Sequence, residues 1–287
     1  MDRLLKGGSM KSFNQKVAAI TGAGSGIGQQ LAIALAKQGC HLSLSDVNEK
    51  GLADTVEQTK SYGVRVTSKK VDVADREQVK TWAAETAQNH GSINLIFNNA
   101  GVALGATVEG ETYDELEWIM NINFWGVVYG TKEFLPYLKQ SKDGHIINIS
   151  SLFGLISQPT QSAYNASKFA VRGFTESLRQ ELDLEKSGVS ATCVHPGGIR
   201  TNIAKAAKMS DSLKSLGMDP NKSIQSFDKL LRTPPEEAAQ VILNAVKANK
   251  PRVLIGNDAK VLDGLQRILP TGYQTLSRLG AKLSQKI

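Results

Sequence analysis

The chain has 287 residues, 41% of them hydrophobic, with two cysteines, four histidines and a formal net charge of +7. That length accommodates one large α/β domain, and no apolar run approaches the ~20 residues of a membrane span. Scattered histidines and cysteines exclude a zinc pattern or a disulfide framework. Basic residues interspersed with acids, without a basic–aromatic stripe, point away from nucleic acid as a partner. Residues 1–14 read as an irregular tail whose apolar core is too short for a secretory signal, with Met10 as an alternative start. A reduced, cytoplasmic compartment fits this composition.

Val17-Ala18-Ala19-Ile20 is an apolar run ending in Thr21-Gly22-Ala23-Gly24-Ser25-Gly26-Ile27-Gly28, and Ile27, Leu31, Ala34 and Leu35 then follow helical spacing to Gly39. Strand, glycine turn and helix are the context of a dinucleotide site. The glycines admit a pyrophosphate to the backbone, and the helix N-terminus offers free N–H groups. The second strand, His41–Ser45, ends in Asp46, where a carboxylate accepts from both hydroxyls of an adenosine ribose and repels a 2′-phosphate. No Arg or Lys lies in the glycine loop or directly after Asp46, which favours NAD over NADP. Capping of the next helix is a second, compatible role for Asp46.

A helix over about 48–62 leads to a strand over 64–71, then Asp72-Val73, with Asp75 as cap of a helix reaching about His90. Ile93–Phe97 is the fourth strand and ends in Asn98-Asn99-Ala100-Gly101. One long helix is expected from about Tyr113 to Gln140, with Asn123 near Gly126 inside it. His145–Ile149 is the fifth strand, followed by Ser150-Ser151. The next helix, capped by Ser162, contains Tyr164-Asn165-Ala166-Ser167-Lys168. A tyrosine and a lysine four apart share a helix face, and an ammonium beside a phenol lowers its pKa from ~10 and suits it to proton transfer.

Val189–Val194 is the sixth strand and ends in His195-Pro196-Gly197-Gly198-Ile199-Arg200-Thr201. Residues 202–232 carry apolar residues among lysines and read as two short helices forming a substrate lid. Thr233-Pro234-Pro235-Glu236 has capping-box spacing at the start of the next helix. Arg252–Ile255 is the seventh strand. Residues 257–287 form an amphipathic extension of two helices split at Pro270, accompanied by Arg267, Arg278, Lys282 and Lys286. This pair either packs on a subunit or lies on an anionic bilayer as a peripheral membrane contact. Lying downstream of every motif, it is expected to be dispensable for hydride transfer but needed for assembly or for handling a lipid-like substrate.

The alternation of strand and helix predicts a single Rossmann-type doubly wound parallel sheet, helices on both faces, over residues 15–256. Thr21–Gly28, Asp72 and Asn98–Gly101, at these separations, resemble the short-chain dehydrogenase/reductase family. The resemblance implies strand order 3-2-1-4-5-6-7 and a bound NAD. It implies that Gly22, Ser25, Gly26, Ile27, Gly28 and Asp46 contact the cofactor, with Asp72 and Val73 at the adenine and Asn99, Ala100 and Gly101 at its ribose. Pro196, Ile199 and Thr201 would hold the nicotinamide carboxamide, and Lys168 the nicotinamide ribose. Ser151, thirteen residues before Tyr164, would orient the substrate oxygen, Tyr164 would move its proton, and Asn123 would bend its helix and position a relay water. A homodimer or homotetramer built on the Tyr113–Gln140 and Tyr164 helices is also implied. The expected reaction interconverts a secondary alcohol and a ketone on a hydrophobic small-molecule substrate. The alternatives are a carrier-bound 3-oxoacyl reductase using NADPH and a non-catalytic nucleotide-sensing protein.

Overall fold

The computed structural model describes residues 10–283, so the expectations for residues 1–9 and for Lys286 lie outside the described residues. Met10 and Phe13, read as part of an irregular tail, are buried in the core. The first half comprises β1 (Val17–Thr21), α1 (Gly26–Ala36), β2 (His41–Asp46), α2 (Glu49–Thr59), β3 (Val66–Lys70), α3 (Arg76–His90) and β4 (Leu95–Asn98). A two-residue strand β5 (Leu104–Gly105) follows, then α4 (Tyr113–Met120), α5 (Gly126–Ser141), β6 (Gly144–Ile149), α6 (Ser162–Glu185) and β7 (Val189–Pro196). The remainder is β8 (Lys208–Met209), α7 (Pro220–Leu230), α8 (Pro235–Lys247), β9 (Arg252–Ile255), α9 (Asn257–Ile268) and α10 (Tyr273–Leu283).

The main sheet runs β3-β2-β1-β4-β6-β7-β9 and is parallel throughout, which is the expected order once the two short strands are set aside. The central strands are continuous apolar runs because both faces are covered. Alternate residues divide between the two layers. Ala18, Ile20, Leu95, Phe97 and Ile147 pack with Leu31 and Leu35 of α1 and Ile242 and Val246 of α8. Ala19, Ile96 and Ile146 pack with Trp82 of α3, Phe134 and Leu138 of α5, and Leu178 and Leu182 of α6. Strand order reverses between β1 and β4, and at such a switch point the carboxyl ends of the strands open a crevice.

The long helix is helical throughout 113–141, as expected, with a π turn over Asn121–Trp125 between α4 and α5. The structure departs from the expected elements in two places. Ser162 does not cap α6; its hydroxyl donates to the Glu111 carboxylate at 3.1 Å. Thr233 does not cap α8 either: Pro234 holds that position, while Thr233 bridges Ile199. Asp75 does cap α3, accepting from the amides of Glu77 and Gln78.

Candidate active site

The glycine loop joins β1 to α1, and its conformation requires its sequence. Gly22 adopts φ +64°, and a Cβ there would lie 2.9 Å from the Ala100 Cα. The loop is tied to the end of β4 by Thr21, whose hydroxyl accepts from the amides of Asn99 (2.9 Å) and Ala100 (3.0 Å). Asn99 returns two bonds, donating from Nδ2 to the carbonyls of Thr21 and Gly22. Gly26 faces Thr201 across the crevice: a Cβ on it would come within 2.9 Å of the threonine methyl. The N–H end of α1 and the turn after β7 therefore flank one groove.

Asp46 ends β2 beside this loop. Its Oδ2 accepts from Gly24 N (2.8 Å) and its Oδ1 from Asn48 N (2.8 Å). Those bonds fix the carboxylate and leave one lone pair on each oxygen for further donors. The helix that follows is capped by Asn48, which accepts from Gly51 N. Asp72 steadies the turn after β3 by accepting from Ala74 N.

The catalytic candidates lie just after β6, in the π turn and on α6. Ser151 begins a short 3-10 turn, and its Oγ accepts from Phe153 N at 3.1 Å, so its own hydrogen remains available to donate. Tyr164 is buried, and burial pushes its phenol above the ordinary value while a hydrogen bond with Ser151 pulls against that rise. Lys168 Nζ donates to the Ile149 carbonyl (3.1 Å) and lies 5.7 Å from the Tyr164 ring centroid. Burial lowers its ammonium to about 8. The expected lowering of the phenol is thus not what the protein alone produces, because its removal from water outweighs the hydrogen bond with Ser151.

Asn123 owes its place to the π turn. Its Oδ1 accepts from Val102 N (2.8 Å), and its Nδ2 donates to Val102 O (3.0 Å) and to Ser167 Oγ (3.1 Å). Ser167 in turn donates to the Tyr164 carbonyl at 2.8 Å. The amide is consumed in joining the loop after β4 to the tyrosine helix, so both its N–H groups already have protein partners.

Every site residue read from the sequence lines one cleft of about 1250 Å³, except Gly28 and Asn123. Gly28 packs under the loop, where a Cβ would collide with the Gly22 carbonyl, and Asn123 is fully buried. Three residues not assigned to the site support it. Ser150 donates to the Lys168 carbonyl at 2.8 Å, and His195 Nδ1 meets the Ser151 carbonyl at 2.9 Å. Burial drops the His195 imidazole to about 4, so near neutrality it is uncharged and its Nδ1–H is the donor. Asp258 of α9 accepts from Gly198 N at 2.7 Å, fixing the turn after β7. The extension thus touches the turn that closes the cleft. The capping and strand patterns carried no signal for these contacts, which span 18 to 60 residues of sequence.

Residues 202–232 are joined to the body by β5 and β8, which pair Leu104 with Lys208 and Gly105 with Met209. Among the described residues no helix is long and apolar enough to cross a membrane. Cys40 and Cys193 are free and buried, and burial raises both thiols to about 12.

Residues 16–211 match the family described as short chain dehydrogenase. The chain is 48% identical over 272 residues to "Putative oxidoreductase SadH" of Mycobacterium tuberculosis, spanning 94% of this chain and 97% of that protein. It is 30% identical to estradiol 17-beta-dehydrogenase 11 of Homo sapiens, over 96% of this chain and 86% of the human one. Among solved structures, a short chain dehydrogenase/reductase from Burkholderia phymatum in complex with NAD superposes with a TM-score of 0.84. It is 28% identical and covers 92% of this chain and 97% of its own.

Proposed function

The chain belongs to the short chain dehydrogenase family of oxidoreductases, and on that premise we propose that it interconverts a hydrophobic secondary alcohol and its ketone with NAD(H). The observation that carries this reading is the convergence of Ser151, Tyr164 and Lys168 in a single cleft that Asp46 and the glycine loop also line. The residues fit the cofactor. Asp46 keeps acceptors for ribose hydroxyls, the N-terminus of α1 has no acid in its first turn, and Lys168 retains two N–H donors after bonding Ile149. When bound, the nicotinamide supplies the hydride acceptor or donor. Ser151 donates its hydroxyl hydrogen to the substrate oxygen and orients it. In oxidation Tyr164 Oη takes the hydroxyl proton from that oxygen, and in reduction it returns it. Lys168 holds positive charge beside the phenol and bonds the ribose. Asn123 fixes the tyrosine helix through Ser167, and its turn would position a relay water in the proton path.

Two relatives support the finer points. The Burkholderia protein binds NAD, and the human relative is named for a dehydrogenation at the 17β position of estradiol. Asp46 weighs against an NADPH-dependent 3-oxoacyl reductase, and the complete set of four groups weighs against a non-catalytic sensor. The test is NADH formation at 340 nm across alcohol classes, run in parallel with NADP⁺. Turnover of apolar secondary alcohols is expected, and activity confined to acyl thioesters with NADPH overturns the reading.

The assembly we propose is a homodimer or homotetramer through α5 and α6, where Trp125 (44% exposed) stacks on Tyr129 and Phe169 is 38% exposed. The extension carries exposed Ile268 and Leu279 together with exposed Lys260, Arg267 and Arg278, which supports contact with an anionic lipid surface. Protein floated with phosphatidylserine vesicles, released by high salt, is the expected outcome; recovery in the pellet fraction with both anionic and neutral vesicles removes the membrane contact. A cytoplasmic location completes the proposal.

A further inference from the structure

We infer that α9 and α10 form a wall of the substrate site, and that the substrate carries a long uncharged hydrocarbon portion lying along them. The inference rests on the proposed alcohol–ketone reaction and names the substrate class for that same cleft.

Four observations carry it. First, the apolar surface is continuous from the reacting oxygen to the extension. The Phe153 ring stands edge-on to Tyr164, centroids 6.0 Å apart, and Phe153 also packs against the cluster of Leu152, Ile156, Ala259 and Tyr273 that Leu262 and Leu265 cover as well. Second, the extension is locked onto the chain's own cleft. The Tyr273 hydroxyl accepts from Ser157 N at 3.1 Å, and Ser277 Oγ donates to Gln158 Oε1 at 2.6 Å. With Asp258 on Gly198, that makes three polar ties between the helices and the loops around the active site. Third, the described residues of α9 and α10 that line the cleft include one charged side chain, Asp258, and Gly198 N engages it. Asp263, the other acid of α9, is held by Arg252 and Arg267. An anionic substrate tail would therefore lose its hydration here without gaining a counter-charge from these helices. Fourth, Gly280 and Ala281 also line the cleft, and so does Leu276, which is 52% exposed. Such a half-exposed leucine at a cleft mouth gains burial when hydrocarbon covers it.

The test is the chain-length dependence of kcat/KM over the straight-chain secondary alcohols from butan-2-ol to decan-2-ol. It compares the wild type with Leu276→Glu and Leu265→Gln, and takes Val261→Glu, on the exposed side of α9, as control. In the wild type each added methylene is expected to raise kcat/KM by about fourfold until the wall is filled. The two lining variants should flatten that slope and cut the decan-2-ol to butan-2-ol ratio by on the order of tenfold or more, whereas the control keeps it. A wild-type slope in both lining variants overturns the wall. If no alcohol is oxidised although calorimetry shows NAD bound, the proposed reaction fails, and decan-2-ol binding by calorimetry decides the wall on its own. Weakening of about tenfold in Leu276→Glu supports the wall, and equal affinity overturns it.

Discussion

Tyr164→Phe is expected to leave NAD affinity within a few-fold of wild type and to lower turnover by on the order of 10²–10⁴-fold. Phenylalanine keeps the ring that meets Phe153 edge-on and removes only the oxygen that exchanges a proton with substrate. Burial raises the phenol in the free protein, so its ionisation near neutrality needs positive charge brought close to it. Lys168 supplies one such charge, and an oxidised nicotinamide supplies a second. Alcohol oxidation requires the phenolate, so its rate should rise as pH passes the Tyr164 pKa, while ketone reduction requires the phenol and should fall over the same window. In Tyr164→Phe both limbs should be lost from the residual rate. Pre-steady-state turnover and calorimetric NAD titration of the two proteins check this. A variant within a few-fold of wild type in kcat sinks the proton-transfer role.

The parts of this fold that were legible in the sequence are those set by local rules. The apolar runs at 17–20, 95–97 and 146–147 announced strands because a doubly covered parallel sheet needs no polar alternation. The glycine loop was legible because positive φ and close backbone approach leave few residue choices at Gly22. Local rules failed where a distant partner claimed the group. Ser162 has the chemistry of a cap, but Glu111 takes its hydroxyl. Thr233 has it too, but its amide goes to the Gly198 carbonyl in an extended bridge. The π turn at Asn123 arises because Val102 and Ser167 draw the amide inward from both sides, a pairing that depends on the loop after β4. Amphipathic spacing gave α9 and α10 but not their partner. The side of α10 on which Tyr273 and Ser277 lie meets the residues after β6, where their contacts span 116 and 119 positions. Periodicity reports that a face is apolar, and only the tertiary structure reports what covers it.

The wild type is expected to favour NAD over NADP by on the order of a hundredfold or more in kcat/KM, with Asp46 as the cause. The carboxylate is held by Gly24 N and Asn48 N, both at 2.8 Å, so it cannot swing away from a phosphate placed on the ribose. Its remaining lone pairs accept from hydroxyls and gain nothing from a 2′-phosphate, which adds a like charge at the same spot. Val47, next in the chain and 58% exposed on the cleft wall, has no charge with which to compensate. In Asp46→Ser with Val47→Arg the repulsion is replaced by a cation able to bond the phosphate, so the preference should relax or invert. The substitution also removes the acceptor for Gly24 N, which loosens the glycine loop for both cofactors alike. KM should therefore rise with NAD in any case, and the ratio of the two specificity constants is the readout that isolates the charge effect. Should wild-type protein already use NADP⁺ as well as NAD⁺, or the double variant keep the wild-type ratio, Asp46 is not the determinant.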